Sequence, residues 1–563
     1  MTRYNPNPSD SEAYEYLGLS LLEQGRENEA YDAFYKAAWS APQQETAFYY
    51  LACIACRRGE YEQALEHVER SLVRNGHNLR ARALRGCVLQ RLGQAEEAAR
   101  CFAENLRLDA FDHVSRIASG DLEGVREVMD GRASDFIEAA GEFAAAGMWR
   151  QAYDALRLCP APTATVWYHT ALCAAHCGED VRACLEAARR CGAPACLPNK
   201  PEDIAALRFA MEQNAEDALA PYLLGCLWYD RLQYDDAIAC WEKSAELNPA
   251  FPTVWRNLSI AYYNKRRDAD RALACMEKAY ALDESDARVL LELDQLYRRM
   301  NRSAAERFAF LDARREVVFR RDDLYIEYCT LLNLQGRFDE ALALIEGRRF
   351  HPWEGGEGKV TKQYAVALTQ MGRRALAAGD AEKARALLQR ALVFPHNLGE
   401  GKLEGAKDND VYYYLGLAER QLGNEEAAVR CLERAAAGDE EPAGMMYYND
   451  QPADLILYQG LANRALGREE RARSRFHKLI RYGEKHYYDE GTIDYFAVSL
   501  PDLQLFDDDL TARNRVHCEY LIALGSFGLG DRARAEKCLQ AVLERERTHQ
   551  GAALHRKIFA ENE

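Results

Sequence analysis

No run of apolar residues in this 563-residue chain approaches the roughly 18 that a membrane-crossing helix needs. An excess of positive charge is missing too. The 72 Lys and Arg face 89 Asp and Glu, a net charge of −17. That argues against nucleic acid or an anionic membrane as partner, because phosphate contacts need a basic face. The opening MTRYNPNPSD has no apolar core and so lacks the mark of a secretory signal. The expectation is a soluble, cytoplasmic protein, in which the 17 cysteines read as reduced thiols rather than a disulfide framework. Proline (16) is scarce beside glycine (36), and alanine is abundant, which favours helix. Apolar residues at 48% and charged residues at 29% exclude a mostly disordered chain. The length predicts three or four domains of about 150 residues each, or one long repeat array.

The array is what the residues show. Gly25, Gly59 and Gly93 are 34 apart, as are Ala30, Ala64 and Ala98, and Phe34, Val68 and Phe102. The unit is helix, short Gly-containing turn, helix. Leu17-Gly18, Leu21, Ala30, Phe34, Ala37 and Pro42 resemble the tetratricopeptide repeat (TPR) at its own spacings. Gly18 and Ala30 let two helices approach, Phe34 fills the seam and Pro42 stops the second helix. The same five-residue step recurs at Gly178–Ala183, Gly336–Ala341, Gly379–Ala384, Gly423–Ala428, Gly467–Ala472 and Gly530–Ala535. Leu224-Gly225, Ala237, Trp241 and Pro249 mark a further unit. Trp255, Leu258 and Tyr262 open the next, with one inserted residue before Ala272. With weaker units near 136–156 and 290–310, about thirteen hairpins are expected. The predicted fold is all-α, an α-solenoid whose first helices line a concave face.

Two stretches, 106–132 and 196–216, break the period. The second, entered through Pro194 and holding Pro198 and Pro201, reads as an irregular connection. The expected division is an N-terminal block at 1–195, the connection at 196–216, a central block at 217–345 and a C-terminal block at 346–563.

The cysteines follow the repeat. Cys53, Cys87 and Cys226 stand one residue after the Gly18 position; Cys101, Cys240, Cys431 and Cys538 stand one before the Phe34 position. Fixed repeat positions predict a packing role. The alternatives are a Cys53/Cys56 redox pair and a metal cluster from Cys173, His176, Cys177 and Cys184. Both lie within helices, away from the tight knuckles or helix starts such sites use. No metal and no cofactor is expected.

The last four connections, 348–364, 394–410, 437–454 and 482–514, are far longer than ordinary ones. Each follows the second helix of a hairpin, so the four are expected to line one rim. They carry Trp353, Tyr447, Tyr448, Tyr487, Tyr488, Tyr495 and Phe496 together with acids and with His351, His396 and His486. Aromatic faces beside carboxylates suit a polar ligand such as a sugar. Trp353, Glu354, Glu357, Glu400, Asp408 and His486 are the candidate ligand-binding residues, with Glu357 and Glu400 the candidate catalytic acids. The plainer alternative is loops that only pack, with Asp410 and Asp454 as helix N-caps. The strings Gly-Lys-Val-Thr at 358–361 and Gly-Lys-Leu-Glu at 401–404 have no Ser or Thr directly after Lys and do not make a nucleotide loop.

HPWEGGEGKV, NLGEGKLEGAKDNDVYYYLG, YYNDQPADLILYQGLA and IDYFAVSLPDLQLFDDDL resemble the C-terminal half of a bacterial family of unassigned function. Its members join a galactose-mutarotase-like β-sandwich to a TPR half. The resemblance implies a carbohydrate-related role and a partner β-sandwich, and leaves open whether residue 1 is a natural start or a fragment boundary. The TPR clamp for acidic peptide tails needs Lys and Asn where this chain has Glu15 and Leu19. The expectation is a non-catalytic scaffold for a protein partner or the mutarotase-like domain. The alternative is the helical half of a carbohydrate-active enzyme whose loop rim binds or cleaves a glycan.

Overall fold

The computed structural model describes residues 11–192, 197–353, 355–403, 405–444, 451–492 and 505–561. Among them are 31 α-helices and no strand, the repeat architecture that the 34-residue period predicts. No helix among them is long and apolar enough to cross a membrane.

The hairpin is built by glycine twice. At the end of the first helix Gly25 takes φ 71°, Gly59 77° and Gly93 76°, a left-handed conformation that costs glycine little. The next N–H groups then close on the helix: Arg26 donates to the Leu21 carbonyl at 2.9 Å and Gly25 to that of Leu22 at 3.0 Å. These bonds satisfy the last carbonyls and turn the chain back. Inside the helix, Gly18 makes room for an aromatic ring. A methyl there would stand 2.7 Å from Phe34 Cε1, and at Gly86, Gly225 and Gly460 it would meet Phe102, Trp241 and Phe476 at 2.3–2.6 Å. The Phe34 ring also stacks on Tyr50 of the next hairpin, 5.0 Å between centroids. One side chain thus closes its own hairpin and joins it to the neighbour.

The chain forms two compact units, Met1–Ala250 and Phe251–Glu563. In the first, short helices His113–Ser119 and Leu122–Met129 occupy the first break in the period. The stretch read as an irregular connection at 196–216 contains a regular helix, Pro201–Gln213. Pro201 sits in the first turn of that helix, where its missing N–H costs nothing. Asp203 anchors it, accepting from the N–H groups of Asn199 and Lys200 at 2.8 and 2.9 Å and pairing with His169 at 2.8 Å.

The second unit bends back on itself. The residue inserted before Ala272 is absorbed as a π-turn, Tyr262–Arg266, the way helices take up one extra residue. The turn presents Asn264, which donates to the Leu505 carbonyl at 2.8 Å and accepts from Asp507 N–H at 2.8 Å. Asn301 does the same one hairpin on, bonding the Glu544 carbonyl at 2.8 Å and Arg547 N–H at 2.7 Å. The first hairpins of the unit therefore meet the last, and the unit is a ring.

Candidate functional site

The final helix, Gln550–Glu561, lies across the inner faces of the ring's first helices. Gln550 Nε2 donates to Gln363 Oε1 at 2.8 Å, Lys557 reaches the Leu334 carbonyl at 3.5 Å and Glu561 pairs with Arg373. Leu554 joins the apolar core of Tyr325, Tyr364 and Tyr414, while Ile558 and Phe559 join that of Phe476 and Leu521. His555 is buried between two phenols, with Nδ1 2.8 Å from Tyr520 Oη and Nε2 3.2 Å from Tyr458 Oη. The face that the first helices line is thus covered, in this unit, by the chain's own helix.

The first two long connections are interlocked. Phe350 N–H donates to the Asn397 carbonyl at 2.8 Å, and Asn397 Nδ2 donates to the carbonyls of Ile345 and Arg348, both at 2.9 Å. Gly399 passes so close that a methyl would stand 2.8 Å from the Phe350 oxygen. Glu400 accepts the Gly358 N–H with both carboxylate oxygens, at 3.1 and 2.9 Å. Gly358 is the N-cap of helix Lys359–Ala377 and has no side chain to cap with, so Glu400 supplies the acceptor from another loop. The Trp353 indole covers Gly356, where a methyl would be 2.1 Å from the ring. The third connection is tied in through Asn409, whose Nδ2 donates to the carbonyls of Ala435 and Ala437, both at 2.8 Å.

Of the six candidate ligand residues, Trp353, Glu357 and Glu400 come together in this platform. Glu357 is exposed, while Glu400 is spent on backbone. Asp408 is held inside its own loop by Lys402, 2.8 Å from both oxygens. His486 belongs to a different cluster, bonding Asp489 at 2.6 Å and packing on Tyr482. Glu354 lies outside the described residues, as do Tyr447, Tyr448, Asp450, Asp494, Tyr495 and Phe496.

A second group escaped the sequence reading although its signal was there. DVYYYLG at 410–416 and DLILYQG at 454–460 share Asp-x-x-x-Tyr-x-Gly, 44 residues apart. Asp410 and Asp454 fall in the first turns of equivalent helices, Asn409–Gln421 and Asp454–Ala465. Asp410 is not the N-cap expected of it; Asp408 holds that position. One turn further on, Tyr414 and Tyr458 meet, their oxygens 3.4 Å apart. Burial pushes the Asp410 carboxyl up to about 7, helped by the charge of Asp454. Burial also raises both phenols and lowers His555 and His549. Burial thus works against charge on Asp410, on the two phenols and on the two imidazoles.

Elsewhere the thiols serve packing. Cys53, Cys87, Cys173 and Cys329 are buried and pushed by burial up to about 12. His176 stacks flat on Trp149, 3.7 Å between centroids. Among the described residues no group of three or more His, Cys, Asp or Glu side chains is placed to hold a metal ion.

With this geometry in hand, tetratricopeptide-repeat family models match residues 222–287 and 410–437. The chain carries TPR repeats, a scaffold fold that suggests a protein-interaction role. Among solved structures it is similar to the Cut9–Hcn1 APC/C hetero-tetramer, at 13% identity over 97% of this chain and 96% of that one, with a TM-score of 0.24. The P58(IPK) TPR domain matches at 16% identity over 81% of this chain and 98% of that one, TM-score 0.19. YrrB, a TPR protein with an unusual peptide-binding site, matches at 14% identity over 40% and 98%, TM-score 0.17.

Proposed function

We propose that this chain is a non-catalytic protein-interaction scaffold whose C-terminal unit receives its partner on the loop platform rather than in the concave face. The observation that carries the reading is the occupied interior. With the helix Gln550–Glu561 seated on the first helices, a partner is left the edge. There Glu400 and Asn397 brace two loops against each other while Val393 and Leu403 stay exposed. Braced backbone with exposed apolar side chains is what a docking surface needs, because little ordering entropy is lost on binding. The partner that fits the resemblance of these loops is a galactose-mutarotase-like β-sandwich, in a carbohydrate-related role.

The test is calorimetric titration of the purified chain with such a sandwich domain. Leu403→Asp and Val393→Asp are expected to abolish binding without shifting the melting temperature. Binding that survives both would remove the platform from the interface.

A second reading, the helical half of a carbohydrate-active enzyme, is favoured by Asp410. A carboxyl held near 7 beside another carboxylate is what a proton donor to a glycosidic oxygen requires. A glycan array read with the native chain and with Glu357→Gln and Asp410→Asn separates the two readings. Glycan binding lost in these variants supports the enzyme half, and an array that stays blank supports the scaffold.

A further inference from the structure

The N-terminal unit carries a row of exposed apolar residues at the ends of its second helices. Trp39 is 67% exposed, Val73 81%, Leu108 47% and Phe111 63%. Three of them sit at or just beyond the C-terminal ends of successive second helices, Glu27–Ala37, Tyr61–Arg74 and Ala95–Leu108. Phe111 follows in the next turn. Trp39 and Val73 are one repeat apart, and Leu108 lies 35 residues beyond Val73. The first two helices are neighbours, touching along their N-terminal halves: Tyr31 Oη lies 3.4 Å from His67 Nε2 and accepts from Gln63 at 3.1 Å. Single exposed apolar residues are ordinary, whereas exposed apolar residues at the ends of three successive second helices are not.

The rim of the row is basic. Lys36, Arg74 and Arg107 stand in the last turns of the same three helices, and all three are exposed. Cations there complement the helix dipoles, but that role gives no reason for an exposed tryptophan beside them. In a chain of net charge −17, a cationic apolar strip selects for acidic surfaces that the rest of the molecule repels. Successive hairpins are about 10 Å apart, and two turns of an α-helix rise about 10.8 Å. A helix laid across the ends would bring residues i, i+7 and i+14 onto Trp39, Val73 and Leu108 in turn.

We propose that this strip docks an acidic amphipathic helix of a partner protein. The helix carries large apolar residues at seven-residue spacing and Glu or Asp on both flanks. Trp39 is the anchor, as buried tryptophans commonly are at interfaces, and the three cations set orientation and on-rate.

The test uses the full chain and a fluorescein-labelled helical peptide of about five turns, with Leu at i, i+7 and i+14 and Glu at most other positions. The control replaces every Glu by Lys. Anisotropy should show saturable binding of the acidic peptide, weakening as salt rises, and none of the basic one. Trp39→Ala should weaken binding about tenfold or more. Arg74→Glu combined with Arg107→Glu should do the same and admit the basic peptide. All three side chains are exposed, so unchanged melting curves show that the variants are folded. No saturable binding of the acidic peptide, equal binding of the basic one, or affinity indifferent to both sets of substitutions would each overturn the proposal.

Discussion

Glu400 holds the Gly358 N–H with both carboxylate oxygens, at 3.1 and 2.9 Å, across 42 residues of chain. The contact gives a helix start that lacks its own cap a charged acceptor from the neighbouring loop. Glu400→Ala should therefore cost about 0.5–2 kcal/mol, the range of a lost N-cap. It should also speed amide exchange at Gly358 and in the first turn of helix Lys359–Ala377. Glu357→Gln, in the exposed side chain next door, should leave exchange unchanged. Equal protection in native and Glu400→Ala protein would mean that the loops are held by Asn397 alone.

The seam between helices gives a second expectation. A methyl at Gly86 would stand 2.3 Å from Phe102 Cε1 and 2.8 Å from its Cζ. Gly86→Ala should destabilise the N-terminal unit by about 1–3 kcal/mol, since overpacking forces the ring off its site. The loss should exceed that of Gly76→Ala, where the nearest atom lies at 3.7 Å. Chemical denaturation of the two variants decides. Equal midpoints would mean that the ring moves aside freely.

That seam was legible in the sequence because it repeats: a glycine and an aromatic sixteen residues apart, as in Gly18–Phe34 and Gly86–Phe102, fix a helical hairpin whatever surrounds them. The inserted residue before Ala272 was legible as well, but its consequence was not. That the π-turn would hand Asn264 to residue 505 depends on a contact across 241 residues, which local pattern does not encode. The covered concave face escaped for the same reason. Ring closure follows from small rotations summed over seven hairpins, and repeat spacing carries no measure of rotation. Pro201 misled because proline stops a helix and also starts one. Asp410 and Asp454 were read as caps because each precedes an apolar helix. Their shared motif with Tyr414 and Tyr458 was the stronger signal.

The thiols should separate by burial. Cys53, Cys87, Cys173 and Cys329, with ionisation pushed up to about 12 by burial, hold almost no thiolate at neutral pH, and thiolate is the reacting form. Cys177, Cys191, Cys431 and Cys538, only partly buried, should react with an aromatic disulfide reagent before these. Mass spectrometry of peptides labelled before and after denaturation tests the order. Fast labelling of Cys53 in the folded chain would show that its helix opens.

The ring interior should set two opposing pH dependences. Asp410 titrates in the folded chain near 7, well above an ordinary aspartate. Its contribution is complete at low pH, where both states are protonated. It is lost as pH rises, because the unfolded chain ionises near 4 while the folded one resists until about 7. His555, lowered by burial, has the opposite sign. Its contribution is complete above the ordinary imidazole value near 6.5 and is lost as pH falls, when the unfolded chain takes up a proton that the folded chain refuses. The two slopes partly cancel between about pH 4 and 6.5, so the native protein alone conceals both. Asp410→Asn uncovers them. It removes the cost of a buried charge beside Asp454 and should stabilise the C-terminal unit by about 1–3 kcal/mol at pH 8, with a gain that shrinks toward pH 4. Below pH 6.5 the variant should lose stability more steeply than the native chain, because the imidazole then acts unopposed. Thermal denaturation across pH 4–8 measures both slopes. If Asp410→Asn destabilises at pH 8, the carboxylate is paired rather than isolated there, and the ring interior binds charge instead of excluding it.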